Sequence, residues 1–203
     1  IFTEGTDIHA GAAALLFDKP VGEVTSEERQ LGKSANFLTA YGGGAGKLSA
    51  TAGVTLTKAR EIINQYYEQF NGLTLWKHKV VMRAKKDGFV TTISGRRRRL
   101  PDINSNNDEL RSRAERQAVN AIVQGSASDI CKKAMIKAQP QVAAFGGKLL
   151  VQVHDELVVN VPDDDRVDYY SEIIQESMGH GKDLNGVPIV VTAHYGRTWS
   201  EAK

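Results

Sequence analysis

Apolar positions recur at intervals of three and four residues over most of the chain, which is the spacing of one buried helix face. This pattern predicts helices over residues 7–17, 25–42, 46–52, 57–70, 73–86, 109–139 and 163–179. Asp7, Thr25 and Thr57 stand where N-caps are expected. The predicted helix ends are a glycine cluster at 42–44, the Asn71–Gly72 pair and Pro140.

Three segments have the period or the residue composition that is typical of β-strands. Residues 89–94 and 96–101 are predicted to pair around a Ser94–Gly95 turn, and residues 148–161 form a second predicted hairpin. Residues 188–195 are a last predicted strand. The polar loop over 102–108 is the best predicted boundary, so we expect two parts, 1–104 and 105–203. Helices followed by an antiparallel sheet define an α+β fold class.

The helix over 25–42 carries an unusual stripe. Thr25 and Glu28 have the spacing of a capping box. Four side chains recur every four residues, with two cations towards the N-terminal end and two aromatic rings towards the C-terminal end: Arg29, Lys33, Phe37 and Tyr41. A ligand with a polyphosphate at one end and a flat base at the other would match this stripe. The alternative is a solvated helix face with two core aromatics.

Composition is ordinary for a globular protein: 203 residues, 41 % hydrophobic, 25 % charged and a formal net charge of +2. Charge is unevenly distributed, since residues 77–99 hold nine cations and one acid, Asp87. That strip could neutralise a phosphate backbone or could be a solvated basic face. The single cysteine, Cys131, excludes an internal disulfide. No transmembrane-length apolar run and no signal peptide are visible, so we expect no membrane partner.

Two further sets of polar residues are candidates for chemistry. The long helix over 109–139 carries Arg116, Asn120 and Gln124 at four-residue spacing, which is also the pattern of an ordinary exposed face. In the second hairpin, Asp155 and Glu156 lie at a turn flanked by hydrophobic strands. A carboxylate held there is a suitable ligand for Mg²⁺, although acidic residues at a turn are usually turn formers.

Three blocks together resemble DNA polymerases of family A, the relatives of bacterial DNA polymerase I. Their motif B is similar to the Arg-x₃-Lys-x₃-Phe-x₃-Tyr-Gly pattern over 29–42, and their motif C is similar to Val-His-Asp-Glu over 153–156. The Arg-x₃-Asn-x₃-Gln-Gly pattern over 116–125 resembles their long palm helix. The segments over 4–9 and 88–103 are also similar, so the resemblance runs over nearly the whole chain. It implies a helical fingers subdomain over 1–104, followed by part of a palm subdomain with an antiparallel sheet over 105–203.

The resemblance implies a binding site for the incoming deoxynucleoside triphosphate (dNTP). Arg29 and Lys33 would bind the triphosphate and offset charge on the departing pyrophosphate, and Lys33 could protonate it. His9 would add a phosphate contact. Phe37 would pack on the sugar and base, and Tyr41 would stack at the end of the helix. Position 37 is Phe where some relatives have Tyr, which implies poorer acceptance of nucleotides that lack the 3′ hydroxyl.

The resemblance also implies contacts to primer–template DNA and to two Mg²⁺ ions. The residues that would touch the primer–template are Arg116, Asn120, Gln124 and His154. The minor groove presents acceptors at equivalent positions for all base pairs, so donors there can check pair shape without reading sequence. Asp155 would be one of two aspartates that hold the metals, with Glu156 as a supporting carboxylate.

The other metal-binding aspartate belongs to the family's motif A, which should lie just before residue 4 and is not in the chain. We therefore expect the chain alone to be inactive as a polymerase and to need an N-terminal piece carrying motif A. The expected location is the cytoplasm of a bacterial or phage-infected cell. The alternative function is a non-catalytic nucleic-acid-binding module derived from a polymerase, which would have no need of Arg29, Lys33 and Asp155 together.

Overall fold

A computed structural model describes residues 7–179, 184 and 187–202. These residues form two compact units. The first contains residues 7–91 and 97–122, and the second contains residues 92–96 and the described residues from 123 onwards. Both units combine helices with a two-stranded antiparallel sheet, so the predicted α+β class is confirmed. No helix among the described residues is long and apolar enough to cross a membrane.

The first unit begins with two closely packed helices, α1 (Ile8–Phe17) and α2 (Ser26–Ala40). Both start as predicted. The Asp7 carboxylate accepts from two backbone amides of α1, and Thr25 and Glu28 form the full capping box of α2. Gly32 of α2 faces α1 so closely that an added Cβ would lie 2.8 Å from the Cβ of Ala13. Glycine is therefore required where these helices cross.

Three helices follow: α3 (Ala45–Ala52), α4 (Leu56–Gln69) and α5 (Asn71–Asp87). Two predictions here are wrong. Thr55, not Thr57, caps α4, because its side chain accepts from the amide of Lys58. The corner between α4 and α5 lies at Phe70, whose carbonyl accepts from the amides of Leu73 and Thr74, so Asn71–Gly72 opens α5 and is not a break. The apolar core under these helices consists of Leu16, Ala35, Leu48, Ala59 and Ile62.

The first predicted hairpin is confirmed. Strand β1 (Phe89–Thr91) pairs with β2 (Arg97–Arg99), with Val90 opposite Arg98. Alternation along β1 places Val90 in the core, whereas all three residues of β2 are exposed. The core of this part of the first unit is formed by Val80, Ala84, Val90, Leu100, Ile103, Ala114, Ala118 and Val119.

Helix α6 (Asp108–Ala144) is the longest element, and its predicted end at Pro140 is wrong. Proline removes one amide donor from the helix but does not end it here. Ala138 and Val142, on either side of Pro140, are both buried, so packing favours continuation of the helix. The end comes at Gly146, whose φ of 78° suits the left-handed position that follows a helix.

The rest of the second unit contains the hairpin of β3 (Lys148–Val153) and β4 (Glu156–Asn160) and the helix α7 (Val167–Met178). The hairpin was predicted. Helix α7 begins four residues later than predicted, because Asp164 binds the amide and guanidinium of Arg166 in a turn before the helix. The predicted strand over 188–195 is wrong: these residues pair with no strand in the described part of the chain. Residues 189–195 instead line a cavity of about 710 Å³ with α6, β4 and α7.

Candidate functional site

The stripe on α2 exists as a surface of the first unit. Phe37 and Tyr41 stack in parallel, with ring centroids 6.3 Å apart and an interplanar angle of 4°. The Phe37 side chain is 48 % exposed, so the second of the two expected alternatives, a pair of core aromatics, does not describe it. The His9 ring, from α1, lies 5.8 Å from the Phe37 ring. Stacked rings that are partly exposed and lie next to a row of cations can accept a flat, anionic ligand.

Arg29 is held by an ion pair with Asp7, a residue that sequence reasoning recognised only as a helix cap. The Arg29 Nε lies 2.5 Å from the Asp7 Oδ2, while the Asp7 Oδ1 caps α1. The hydrogen bond from Arg29, with those from the amides of Ala10 and His9, lowers the pKa of Asp7 to about 2. The pair uses one guanidinium N–H, and an arginine has four others with which to bind phosphate oxygens.

His9 is joined to α2 by Asn36, which sequence reasoning missed. The Nδ2 of Asn36 lies 2.8 Å from the backbone carbonyl of Ile8 and 3.1 Å from the His9 Nδ1. Burial, followed by the positive charge of Arg29, lowers the pKa of His9. A polar residue at a helix position that faces a neighbouring helix was the signal that could have identified Asn36.

The C-terminal end of α2 is fixed by α4 and α5. The Nζ of Lys77 donates to the carbonyl of Thr39 at 3.0 Å, and the Tyr67 hydroxyl donates to the same carbonyl at 3.4 Å. Lys77 also lies over the Tyr67 ring, and burial lowers the pKa of Lys77. The sequence predicts Lys77 in a basic strip that either faces phosphate or is solvated, whereas in the structure Lys77 holds the helix that carries the aromatic pair.

Other cations of the 77–99 strip also have intramolecular partners. Lys85 pairs with Glu115 at 2.7 Å, Arg96 pairs with Asp129 at 2.9 Å, and Arg97 lies 4.8 Å from the centre of the Phe89 ring. Part of the strip is therefore structural. The exposed strand β2 still presents three consecutive arginine side chains on the first unit.

The polar positions of α6 face solvent as expected. Arg116, Asn120 and Gln124 are all exposed. The Arg116 side chain passes close to the end of α2, since a Cβ added at Gly42 would lie 3.6 Å from its Cγ. Arg116 and Asn120 belong to the first unit and Gln124 to the second.

The tip of the second hairpin presents His154 and Asp155 as a two-residue turn. His154 has a φ of 54°, a conformation that few non-glycine residues adopt, and Gln152 donates to its carbonyl at 3.0 Å. The Asp155 and Glu156 side chains are exposed, and the Trp199 indole N–H donates to Glu156 at 3.1 Å. Carboxylate oxygens are the donors that Mg²⁺ prefers, so the chemistry of this tip fits that ion.

The described structure divides the candidate residues between its two units. His9, Arg29, Lys33, Phe37 and Tyr41 lie together on α1 and α2 of the first unit, whereas Gln124 and the tip residues 154–156 lie in the second. No cluster of three or more metal-binding side chains occurs among the described residues.

Comparison with known proteins identifies the family of the chain. The family model of DNA polymerase family A matches residues 1–201. DNA polymerase I of Lactococcus lactis is 38 % identical over 205 residues, which cover 100 % of this chain and 23 % of that protein. The enzyme of Mycobacterium tuberculosis is 38 % identical, covering 99 % of this chain and 22 % of its own length. The thermostable DNA polymerase I of Thermus filiformis is also 38 % identical, covering 100 % and 24 %.

A solved structure of a DNA polymerase domain is also similar to this chain. The polymerase domain of Pol1 from M. smegmatis, in complex with a DNA primer–template and dNTP, has a TM-score of 0.89 and 36 % identity. The match covers 99 % of this chain and 35 % of that one. The chain thus spans about a quarter of the length of the curated relatives it matches. By sequence and by structure, it belongs to DNA polymerase family A.

Proposed function

We propose that this chain supplies the nucleotide-binding surface, and one carboxylate of the catalytic centre, of a template-directed DNA polymerase. The observation that carries the proposal is the stripe on α2, where two cations lead to a stacked aromatic pair whose Phe37 ring is 48 % exposed. The similarity of the whole chain to a polymerase domain that was solved with primer–template and dNTP supports the same assignment. The reaction is attack of a primer 3′ hydroxyl on the α-phosphate of a dNTP, which releases pyrophosphate.

In this proposal the first unit binds the dNTP. Arg29, Lys33 and His9 hold the triphosphate, and the two cations stabilise the negative charge that develops on the leaving pyrophosphate. Lys33 is the candidate acid that protonates it. Phe37 packs on the sugar and base, and Tyr41 stacks against the nascent pair. A phenylalanine at position 37 lacks a hydroxyl to substitute for a missing 3′ hydroxyl, so dideoxynucleotides should be poor substrates.

We assign the primer–template contacts to Arg116, Asn120, Gln124 and His154. All of these side chains can donate hydrogen bonds, and the three on α6 are exposed at four-residue spacing. Donors of this kind can reach the minor-groove acceptors that all four base pairs share. We also propose that residues 1–104 act as the fingers part and residues 105–203 as part of the palm.

Asp155 is the proposed ligand for Mg²⁺, with Glu156 as a supporting carboxylate. Two Mg²⁺ ions, when bound, activate the primer 3′ hydroxyl and neutralise charge on the leaving group. Glu156 already accepts from the Trp199 indole, which favours Asp155 as the direct ligand. A two-metal site needs more carboxylates than this tip offers. We therefore propose that another segment contributes the second aspartate and that this chain alone does not extend a primer.

Binding measurements on the isolated chain test the proposal. Titration calorimetry with a dNTP in Mg²⁺ buffer should give measurable affinity. Lys33→Ala should weaken it about tenfold or more, since a hydrogen bond to a charged group contributes about 1.5–3 kcal/mol. Lys47→Ala is the matched control, because Lys47 is an exposed lysine on the neighbouring helix α3.

Two outcomes would contradict this assignment. If Lys33→Ala and Lys47→Ala bind the dNTP equally well, the stripe on α2 is not the triphosphate site. If the chain binds primer–template DNA, measured by fluorescence anisotropy, but binds no dNTP, the non-catalytic nucleic-acid-binding module becomes the better description.

A further inference from the structure

Asn36 is a buried polar side chain in the middle of the proposed triphosphate surface. It is 7 % exposed and lies on α2 between Lys33 and Phe37. Its amide nitrogen lies within hydrogen-bond distance of two atoms of α1, the carbonyl oxygen of Ile8 at 2.8 Å and the Nδ1 of His9 at 3.1 Å. One side chain therefore joins the two helices and contacts a proposed phosphate-binding residue.

The direction of these hydrogen bonds follows from elementary donor and acceptor chemistry. A backbone carbonyl can only accept, so the Asn36 atom facing Ile8 must be the NH₂ group and not the oxygen. That group has two hydrogens. One goes to Ile8, and the other points to the His9 Nδ1, which must then carry a lone pair. A neutral imidazole with an unprotonated Nδ1 has its hydrogen on Nε2.

The charges around His9 agree with a neutral ring. Partial burial is the main cause that opposes protonation and lowers the pKa of His9, and the positive charges of Arg29 and then Lys33 on α2 oppose protonation as well. Asp7 favours protonation, but its carboxylate is paired with Arg29. Protonation would also place a hydrogen on Nδ1, facing the hydrogen of Asn36, so this hydrogen bond would be lost.

We propose that Asn36 is a positioning residue that holds His9 as the neutral tautomer protonated on Nε2. His9 then presents a single hydrogen-bond donor to the triphosphate, beside the two fixed cations Arg29 and Lys33. The Nε2 lies across the ring from the Nδ1 that Asn36 holds, so its N–H points away from Asn36. This role rests on the proposed function only for the identity of the ligand; the tautomer itself is a property of the unliganded chain.

Nuclear magnetic resonance of the ¹⁵N-histidine-labelled chain tests the tautomer directly. Long-range ¹H–¹⁵N correlations should show a protonated Nε2 and an unprotonated Nδ1 for His9, with a pKa below the ordinary histidine value. Asn36→Asp replaces the donor with an acceptor of the same shape. It should move the proton to Nδ1 and raise the pKa of His9. Asn64→Asp, at an exposed position of α4, is the matched control and should change neither.

Asn36→Ala provides a second route if the buried aspartate disturbs folding. It removes both hydrogen bonds without adding charge, so His9 should become a mixture of the two tautomers. Affinity for inorganic triphosphate should fall about two- to tenfold, the effect of one net hydrogen bond.

The proposal is overturned if wild-type His9 is protonated on Nδ1, or if both Asn36 variants leave the tautomer and pKa of His9 unchanged. Failure of inorganic triphosphate to bind the wild-type chain would be a different result. It would contradict the proposed function and leave the tautomer assignment intact.

Discussion

At the scale of single residues, the Asp7–Arg29 ion pair predicts how the stability of the folded chain depends on pH. The pKa of Asp7 is about 2 in the folded chain, below its ordinary value of 3.8, so the folded state favours the carboxylate. Its contribution to stability is complete above the unfolded value and is lost as the pH falls through the folded value. Between about pH 4 and pH 2, the wild-type chain should therefore lose stability more steeply than Asp7→Asn, which keeps a side-chain cap for α1.

Urea unfolding at a series of pH values, followed by circular dichroism, measures this difference. Asp102→Asn is the control, because Asp102 is an exposed carboxylate in the loop before α6. Parallel pH curves for wild type and Asp7→Asn would show that the ion pair does not form in solution.

The Asp7–Arg29 pair also illustrates which properties of individual residues can be predicted from the sequence and which cannot. The caps Asp7 and Thr25 and the stripe on α2 were predictable, because each depends on spacing within one helix. The partners Asp7–Arg29 and His9–Asn36 were not, because they join two helices whose relative rotation is set by packing, including the close approach at Gly32. The bond from Lys77 to the Thr39 carbonyl was not predictable either, because it also joins two helices.

At the scale of elements, the tip of the first hairpin is locked onto α6. The Thr92 hydroxyl donates to Asp129 at 2.5 Å, and the Arg96 guanidinium donates to Asp129 at 2.9 Å and to the carbonyl of Gly125 at 3.0 Å. A Cβ added at Gly125 would lie 2.6 Å from the Thr92 Cγ2. This contact fixes the turn of α6 next to Gln124, the proposed primer–template contact.

A double-mutant cycle tests that contact. Gly125→Ala should destabilise the chain by about 1–3 kcal/mol, because the new methyl group overpacks against Thr92. Thr92→Ser removes the Cγ2 and keeps the hydroxyl that binds Asp129. In that background, Gly125→Ala should be close to neutral or stabilising, since alanine favours a helix by about 1 kcal/mol over glycine. Chemical unfolding of the four chains measures the coupling, and additive effects would contradict the packing described here.

The positions of helices and strands were predictable where the sequence signal is local. The predictions were wrong where tertiary packing decides the structure. The capping box and both hairpins were found because their cues lie within a few neighbouring residues. The predicted end of α6 at Pro140 is wrong, because burial of Ala138 and Val142 favours continuation of the helix over the local preference of proline to end it. Residues 188–195 have the composition of a strand, but a strand also needs a partner, and the sequence of the segment alone cannot supply that information.

At the scale of the whole molecule, the chain corresponds to about a quarter of its curated relatives, so its catalytic assignment is best tested within a complete enzyme. The structure places the proposed nucleotide site and the proposed metal ligand in different units. Arg29, Lys33 and Phe37 lie in the first compact unit, whereas Asp155 lies in the second. Substitutions on α2 should therefore change dNTP affinity, whereas substitution of Asp155 should change the rate of primer extension.

A chimera provides that test: this chain replaces the matching part of the Lactococcus lactis DNA polymerase I, to which it is 38 % identical. Asp155→Asn in the chimera should reduce primer extension about 1,000-fold or more, since metal-assisted charge stabilisation contributes several kcal/mol. Primer–template affinity should stay nearly unchanged, because the substitution removes the proposed metal ligand and no donor to DNA. Asp163→Asn is the matched control, as Asp163 is an exposed carboxylate that pairs only with exposed Arg197 among the ion pairs of the described residues. An active chimera that tolerates Asp155→Asn as well as Asp163→Asn would exclude the hairpin tip from catalysis and leave the stripe on α2 as a binding surface.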